Sequence, residues 1–319
     1  MLDGDVVSRG RCDATAEVVP LFTLKDLLWF LYLYPFRVFS KLASRGLLYQ
    51  IGKLGEPLVQ FRSRERRKTA ARRMLAATGS GITPDQAPQI ARRFVSNATF
   101  RVLDDLILNR SSFQRILRCR GVEGLEHLEG GKSAGRGVVV LTAHFYASRI
   151  AKRYLATIGY PMLSVRNKQP PDDLAGQLGR RILQSRYMEF LHGVIQDEVY
   201  VQDSECTLKI LQRLRSGGLV NIHFDAPYGA RSVEWPFLGK PERFATGIFD
   251  IVRLSGCAVA PMVCLGRSTE FRIGFGPLLE IVPADTRDEF VSANLPSFVQ
   301  TLEKHIVDHP DEWELWTRL

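Results

Sequence analysis

The chain is poor in cysteine, and its cysteines form no pattern. Its 319 residues include only five of them, Cys12, Cys119, Cys206, Cys257 and Cys264. Their number is odd, they are scattered, and no Cys-x-x-Cys pair occurs, which argues against a disulfide framework and a zinc site. We therefore expect no bound metal, a reducing compartment, and thiols that pack as small apolar side chains.

A long uncharged apolar run is also missing. Residues 1–20 are polar and have no apolar signal-peptide core, so they are predicted to form a flexible tail. Leu21–Phe39 is apolar, but it contains charged residues and Pro35, whereas a spanning helix needs ~20 apolar residues. Trp29 and Tyr32 are types that favour the lipid headgroup level. We favour an interfacial membrane anchor here, and a helix packed on the protein core is the alternative.

Acidic residues are outnumbered by basic ones. The 34 acidic and 43 basic residues give a formal net charge of +9, which favours an anionic partner such as nucleic acid, an anionic membrane or an acidic carrier protein. Seven cations fall within Phe61–Arg73, which is either a solvated helix face or a patch for anionic lipid. Because no zinc finger or RNA-binding signature accompanies them, we expect no nucleic-acid partner.

The chain changes character near Gly137. Before it, Thr83–Gln86 has the residues of a helix start, and helical patterning continues through Ile90–Leu108. After it, short apolar runs alternate with helical stretches, and no internal repeat is present. The predicted strands are Val138–Thr142, Met162–Val165, Leu219–Phe224, Val259–Leu265, Phe271–Phe275 and Leu278–Val282. The predicted helices are Ser148–Ile158, Leu174–Met188, Ser204–Arg215, Ala245–Leu254 and Leu295–Asp308.

This alternation predicts an α/β fold, with a mixed, largely parallel sheet flanked by helices. A helical, basic region precedes the sheet. We expect the helical region to span residues 21–125 and the α/β domain to span residues 126–319.

His144 is the first candidate for chemistry. It follows the apolar, β-branched run Val138–Thr142, which places an imidazole at the carboxyl end of a strand, where open α/β sheets bind ligands. An imidazole with an ordinary pKa near 6.5 suits a general base at cellular pH. Ser148 lacks the Gly-x-Ser-x-Gly elbow of a nucleophile, so we interpret it as a helix start.

Further segments place polar residues after apolar strands. Leu163–Val165 leads into Arg166, which either grips a phosphate or is a surface cation. The strand Leu219–Phe224 carries His223 and precedes Asp225. A turn with Tyr228, Gly229 and Arg231 follows, and we expect these three residues to bind substrate, with Arg231 holding an anionic group. An apolar loop over Trp235–Lys240 then leads to Ala245-Thr246-Gly247, a helix start of the kind that binds anions.

Together these blocks resemble the bacterial lipid A late acyltransferase family of the lysophospholipid acyltransferase superfamily. The resemblance extends from the aromatic N-terminal helix through the His144 block and the Asp-x-x-Tyr-Gly-x-Arg-Ser block to a terminal Pro310, Trp313 and Trp316. It implies acyl transfer from acyl carrier protein or acyl-CoA, as co-substrate and without another cofactor, to a hydroxyl or amine of a lipid or glycolipid. It also implies a location at the cytoplasmic face of the bacterial inner membrane.

The resemblance assigns His144 as the base, and it expects an acid five residues later. That position holds Arg149, which only donates hydrogen bonds and would lower the pKa of a nearby histidine. Three explanations stay open. Asp225 replaces the acid through space; Arg149 faces away or binds an anionic substrate while a backbone carbonyl orients His144; or the pair is lost and the fold is reused for binding or other chemistry.

The other histidines have simpler interpretations. His192 is predicted to be a surface residue in a loop after a helix. His223 is expected to share a face of its strand end with Asp225 and to make a structural hydrogen bond. His305 and His309 fall in and just after the last helix, without metal-ligand spacing.

Overall fold

The computed structural model describes residues 20–77, 79–133, 135–168, 176–177, 179–195, 197–226 and 229–318. The predicted tail and Tyr228 therefore lie outside the described residues, apart from Pro20 at the end of that tail. The α-helices are α1 (Leu24–Leu31), α2 (Arg37–Leu42), α3 (Arg45–Arg62), α4 (Arg64–Ala76), α5 (Ala87–Leu108), α6 (Phe113–Ile116), α7 (Leu125–Ser133), α8 (Ser148–Thr157), α9 (Gln184–Ile195), α10 (Cys206–Arg215), α11 (Gly247–Ser255) and α12 (Arg287–Asp308).

The strands are β1 (Cys119–Glu123), β2 (Val138–Thr142), β3 (Met162–Arg166), β4 (Glu198–Tyr200), β5 (Leu219–His223), β6 (Ser232–Phe237), β7 (Lys240–Ala245), β8 (Ala258–Arg267) and β9 (Glu270–Phe275). Seven of them form one sheet in the order β1-β9-β8-β2-β5-β3-β4, and β6 and β7 form a separate hairpin. Neighbours in the large sheet are parallel, except that β8 and β9 are antiparallel. The predicted mixed, largely parallel sheet flanked by helices, preceded by a helical region, is confirmed.

The central strand β2 is buried along its whole length, as its β-branched sequence favours. Successive side chains point to opposite faces of the sheet, so Val139 and Leu141 join one hydrophobic core while Val138 and Val140 join the other. Gly137 precedes the strand at φ 68°, and a Cβ there would lie 2.5 Å from the Leu214 carbonyl oxygen. Glycine is therefore required at the start of β2.

Some elements differ from the sequence prediction. Leu278–Val282 is not a strand, although Leu279 donates to the Val259 carbonyl at 2.9 Å. The predicted loop around Trp235–Lys240 is instead the β6–β7 hairpin. Pro236 and Pro241 face each other in this hairpin, where prolines are tolerated because each strand has only one partner.

The boundaries of other elements also differ from the sequence prediction. β1 pairs with β9, so the sheet begins before residue 126. Thr83 and Gln86 make the expected reciprocal hydrogen bonds, but they form a turn and the helix begins at Ala87. The second predicted helix, Leu174–Met188, starts outside the described residues; a π-helical turn covers Gly179–Leu183, and α9 then runs from Gln184 to Ile195. The last predicted helix begins eight residues earlier than Leu295, at Arg287.

The N-terminal apolar segment folds as one bent helical stretch. α1 and α2 are joined by a π-helical turn over Tyr32–Phe36 that contains Pro35, because proline lacks the N–H of a regular α-helical bond. Its inner side packs on the protein through buried residues such as Asp26 and Leu33. In the described ranges no helix is both long and apolar enough to span a bilayer.

Candidate active site

His144 and Asp225 are joined at the carboxyl edge of the sheet, where β2 and β5 end. The His144 Nδ1 lies 2.6 Å from Asp225 Oδ1, and the His144 backbone N–H donates to Asp225 Oδ2 at 2.7 Å. Thr142 stands opposite His223 in the parallel register, so the two strand ends are level. His144 is the second residue after β2 and Asp225 is the second residue after β5, so the two residues lie side by side.

Trp313 is the third member of this arrangement. Its indole Nε1 donates to Asp225 Oδ2 at 2.7 Å, and the tryptophan is fully buried. The C-terminal segment that carries it forms an antiparallel bridge with Phe145, and the Glu314 N–H donates to the His144 carbonyl at 2.8 Å. The Asp225 carboxylate thus accepts three hydrogen bonds, and a segment far away in sequence fixes the His144 backbone.

The carboxylate sets the acid–base character of the histidine. Burial by itself would lower the pKa of His144, but the charge of Asp225 and its hydrogen bond outweigh burial and raise that pKa. The side chain of Asp225 is fully buried whereas that of His144 is 31% exposed. Because Nδ1 is held by Asp225, Nε2 is the ring nitrogen left for a proton of another molecule.

Arg149 points to a different carboxylate. Its Nη1 lies 2.5 Å from Oδ2 of the buried Asp105, on α5. The pKa of His144 is raised and not lowered, because Asp225 outweighs burial and the nearby cations. The alternative in which a backbone carbonyl orients the ring does not match the geometry, because a carboxylate does so. The first explanation, in which Asp225 from a distant part of the sequence takes the place of the missing acid, matches the geometry.

A cavity of about 940 Å³ opens beside His144. Its lining includes the cations Arg66, Arg101, Arg149, Lys152, Arg166, Arg231 and Arg318, together with the carboxylates Asp203, Asp250 and Glu314. The lining also includes the apolar residues Leu191, Ile195, Ile210, Ile222, Ile248 and Ile251. The cavity can therefore hold a molecule with an apolar chain and a polar, anionic end.

Arg166 lies at the end of β3 and lines the cavity. Its Nη1 is 2.5 Å from Glu198 Oε2, and its side chain is only 16% exposed, so it is not a simple surface cation. The same carboxylate group contacts His192, whose Nδ1 lies 2.8 Å from Oε1. His192 is exposed as expected, but it lies inside α9 and not in a loop.

The turn after β5 lies at the same cavity. Gly229 and Arg231 line it, and both are exposed. Thr246, by contrast, is buried at the start of α11, where its Oγ1 accepts a hydrogen bond from Arg287 at 2.8 Å. The structure thus gives Thr246 a contact within the protein, and its predicted substrate binding stays a prediction.

His223 lies against His144, and in the described part of the chain the expected structural hydrogen bond of His223 is not found. Its ring centroid is 4.5 Å from that of His144. Burial lowers the pKa of His223 well below its ordinary value, and His144 and Lys152 lower it further. His223 is therefore an uncharged ring in the cavity wall. Ser148 begins α8 as expected, and His305 and His309 lie in and just after α12.

Sequence reasoning missed three contributors to this site. Trp313 appeared only as part of the family resemblance, while Asp105 and Lys152 carried no signal, because nothing local indicates which charged residues of a helix face a distant partner. Within the described ranges no group of histidine, cysteine and carboxylate side chains could hold a metal ion.

The fold is that of an α/β protein, and it carries a hydrogen-bonded histidine–carboxylate pair beside a large cavity. The chain belongs to the bacterial lipid A biosynthesis acyltransferase family, whose model matches residues 21–319. Among solved structures, it is similar to the 1-acyl-sn-glycerophosphate (LPA) acyltransferase PlsC from Thermotoga maritima, at 14% identity and a TM-score of 0.36, over 90% of this chain and 96% of that one. A comparison with curated proteins gave no match.

Proposed function

We propose that this acyltransferase-family protein moves an acyl chain from a thioester, carried by acyl carrier protein or CoA, to a hydroxyl or amine of a membrane lipid or glycolipid. The observation that carries the proposal is the His144–Asp225 hydrogen bond of 2.6 Å, which leaves Nε2 for the acceptor proton. As Nε2 takes that proton, imidazolium forms beside the Asp225 carboxylate, which stabilises it.

The proposed reaction has two steps. The acceptor oxygen or nitrogen attacks the thioester carbonyl carbon while its proton passes to Nε2 of His144. The tetrahedral intermediate then collapses, the carbon–sulfur bond breaks, and the thiolate takes the proton back from His144. Positioned acid–base catalysis of this kind typically contributes about 10²–10⁴ in rate.

The apolar wall of the cavity supports an acyl chain as the transferred group. It is built from α9, α10 and α11, and it includes Leu191, Ile210 and Ile248. Burying a chain there contributes roughly 0.8 kcal/mol per methylene. The cations of the lining outnumber its carboxylates, which supports a donor or acceptor that carries negative charge.

We further propose that two apolar stripes on α1 and α3 bind the bilayer surface. On α3 the exposed residues Leu47, Ile51, Leu54, Leu58 and Phe61 recur at spacings of four and three, which is one helix face. On α1, Leu24, Leu28 and Leu31 are exposed in the same way.

Neighbouring charge favours an anionic membrane as the partner of these stripes. Exposed cations accompany them, including Lys41, Lys53, Arg62 and Arg64. Trp29 of α1 lines the cavity while Leu28 beside it is 54% exposed, so this helix connects the lipid-facing surface to the substrate site. An acceptor could then enter from the membrane.

The activity is tested with the purified full chain, radiolabelled acyl-CoA or acyl carrier protein, and lipid extracts. We expect a labelled lipid product, and His144→Ala should lower its formation about 10²–10⁴-fold. His127→Ala is the matched control, because that histidine lies on α7, outside the cavity lining. Equal product formation by the wild type and His144→Ala would refute the assigned base.

Membrane binding is tested by sedimentation with vesicles of phosphatidylglycerol and phosphatidylcholine. Leu54→Asp and Leu58→Asp should reduce binding and leave the helix content unchanged. Leu254→Asp is the control, since Leu254 is 62% exposed but lies on α11, outside both stripes. Binding that survives both α3 substitutions would exclude α3 as the contact surface.

A further inference from the structure

Lys152 is a buried cation beside the His144 cavity. It lies on α8, its exposed fraction is 8%, and it lines the cavity. No hydrogen bond or ion pair joins its ammonium group to any residue in the part of the chain that the structure describes. The two other cations that face it differ, because Arg149 is paired with Asp105 and Arg166 with Glu198. A buried ammonium without an anion is unfavourable, so this position is suited to an anionic ligand.

The sheet register gathers polar residues into a layer on the face beneath α8, the helix that carries Lys152. Ser164 stands opposite Asn221, and two residues farther along the same strands are Arg166 and His223. Alternate residues share a face, so all four lie on the face that Val138 and Val140 share with α8.

Two atoms of this layer are also unsatisfied. Within the described residues, Ser164 Oγ and Asn221 Oδ1 are buried without a hydrogen-bond partner. Groups of this kind normally bind water or a ligand. The region between α8 and the sheet is therefore polar and contains atoms without hydrogen-bond partners. It lies next to the apolar part of the same core.

The electrostatics of the layer agree with this interpretation. Burial lowers the pKa of Lys152 to about 7, and repulsion from Arg166 and Arg149 adds to the decrease, while Glu198 opposes it. The same surroundings keep His223 uncharged. An anion bound here would offset the repulsion from Arg166 and Arg149, raise the pKa of Lys152 and hold it protonated.

We propose that Lys152, Arg166 and His223 form a subsite for a compact oxyanion, a carboxylate or phosphate, carried by the acyl acceptor next to its reacting hydroxyl or amine. This inference rests on the proposed acyl transfer at His144. The acceptor class it names is hydroxy acids, amino acids and polyol phosphates, including their lipid derivatives.

Proximity assigns the anion to the acceptor and not to the donor. The His223 ring, which borders the subsite, is 4.5 Å from the ring of His144 between centroids. In a thioester donor, the atoms near the carbonyl are an apolar chain on one side and the uncharged pantetheine arm on the other, and the phosphate lies many bonds away. An anion this close to the reacting centre therefore belongs to the molecule that brings the nucleophile.

Binding is tested first, without turnover, by ³¹P NMR titration of the full chain with inorganic phosphate at pH 7. We expect saturable binding that Lys152→Met weakens roughly ten- to a hundredfold, the loss of one charge-assisted hydrogen bond. Lys152→Arg should keep most of the affinity. Lys304→Met, an exposed cation of α12, should bind phosphate as the wild type does. Equal affinity in the wild type and Lys152→Met would overturn the subsite, as would the absence of phosphate binding to the wild type.

Competition then identifies the source of the anion. Glycerol 3-phosphate and 3-hydroxybutyrate should displace phosphate, whereas phosphopantetheine should not. Displacement by phosphopantetheine alone would assign the subsite to the donor and overturn the proposal. His144→Ala should bind phosphate normally while acyl transfer is lost, so the failure of acyl transfer and the failure of the subsite give different results.

The kinetics of acyl transfer to different acceptors provide the last test of the subsite. Lys152→Met should raise KM for an anionic acceptor roughly tenfold or more and leave kcat/KM for an uncharged alcohol of similar size unchanged. Circular dichroism of each variant verifies folding, and Lys152→Arg gives an independent readout if the methionine variant unfolds. An equal loss with charged and uncharged acceptors would show a structural role for Lys152 and contradict the proposal.

Discussion

The carboxylate of Asp225 holds His144 at two points, the ring Nδ1 at 2.6 Å and the backbone N–H at 2.7 Å. A single side chain therefore fixes both the position of the loop after β2 and the orientation of the imidazole. In the arrangement that the sequence resemblance implies, the acid would instead follow the histidine by five residues, at the start of the next helix. Here the neighbouring strand supplies it, and the helical position is occupied by Arg149, which binds Asp105.

The first prediction concerns Asp225→Asn. The amide can still occupy the site, but it carries no charge and cannot stabilise imidazolium, so acyl transfer should fall by up to about 10⁴-fold. Steady-state kinetics with acyl-CoA check this. Asp308→Asn, an exposed carboxylate at the end of α12, is the control and should retain activity. Full activity of Asp225→Asn would mean that the pair is not part of the reaction.

The second prediction compares two tryptophans. Trp313→Phe removes the N–H that donates to the buried Asp225 carboxylate and should cost about 1–3 kcal/mol of unfolding free energy together with much of the activity. Trp316→Phe removes a donor to the neutral Pro310 carbonyl, so its stability cost should be smaller and its activity retained. Urea unfolding and the transfer assay measure both effects. Similar losses in both variants would contradict a specific role for the Trp313–Asp225 bond.

The third prediction is the pH dependence of activity. The general base must be unprotonated, and the pKa of His144 is raised above 6.5, so kcat/KM should increase with pH through that raised value. Asp225→Asn removes the charge that raises the pKa, and its remaining activity should increase at lower pH than that of the wild type. A profile with the same midpoint in both proteins would exclude Asp225 as the cause.

The same pKa predicts a pH-dependent stability. Because the folded pKa of His144 lies above the unfolded value, protonation stabilises the folded state. This contribution is fully present below pH 6.5 and is lost as the pH rises through the folded pKa. The difference in unfolding free energy between the wild type and Asp225→Asn should therefore decrease over that range, as urea titrations at several pH values can measure.

The fourth prediction concerns Arg149→Glu. This substitution creates a histidine–acid spacing in the sequence, but it should not raise activity, because Asp225 already occupies Nδ1 of His144. It also places two carboxylates together, since Asp105 is buried beside residue 149, and should destabilise the protein by roughly 3–5 kcal/mol. Adding Asp105→Arg exchanges the two charges and should recover part of the loss. A gain of activity in Arg149→Glu would show that Asp225 by itself is not sufficient as the acid beside His144.

Local sequence patterns predicted much of this structure. The β-branched run before His144 is a strand, the segment from Ser148 is a helix, and the alternation that follows forms the expected sheet. The pattern failed at the β6–β7 hairpin, because Pro236 and Pro241 are typical of loops and only their pairing with each other makes them strand residues. It also failed at Leu278–Val282, whose composition favours a strand but which makes only scattered contacts with β8 and α12.

The sequence by itself determined the fold class, the place of His144 at a strand end, and the cationic, partly apolar character of the N-terminal helices. These follow from short-range periodicity and from the geometry of parallel strands. For His144 the sequence offered Asp225 as one of three explanations, and the tertiary structure decided among them. Tertiary structure alone decided which carboxylate binds Arg149, and that the charge of Lys152 acts on His223. Such pairings depend on the side-by-side order of strands and on the return of residues 312–314 to the loop after β2, and local sequence does not encode a partner 81 or 88 residues away.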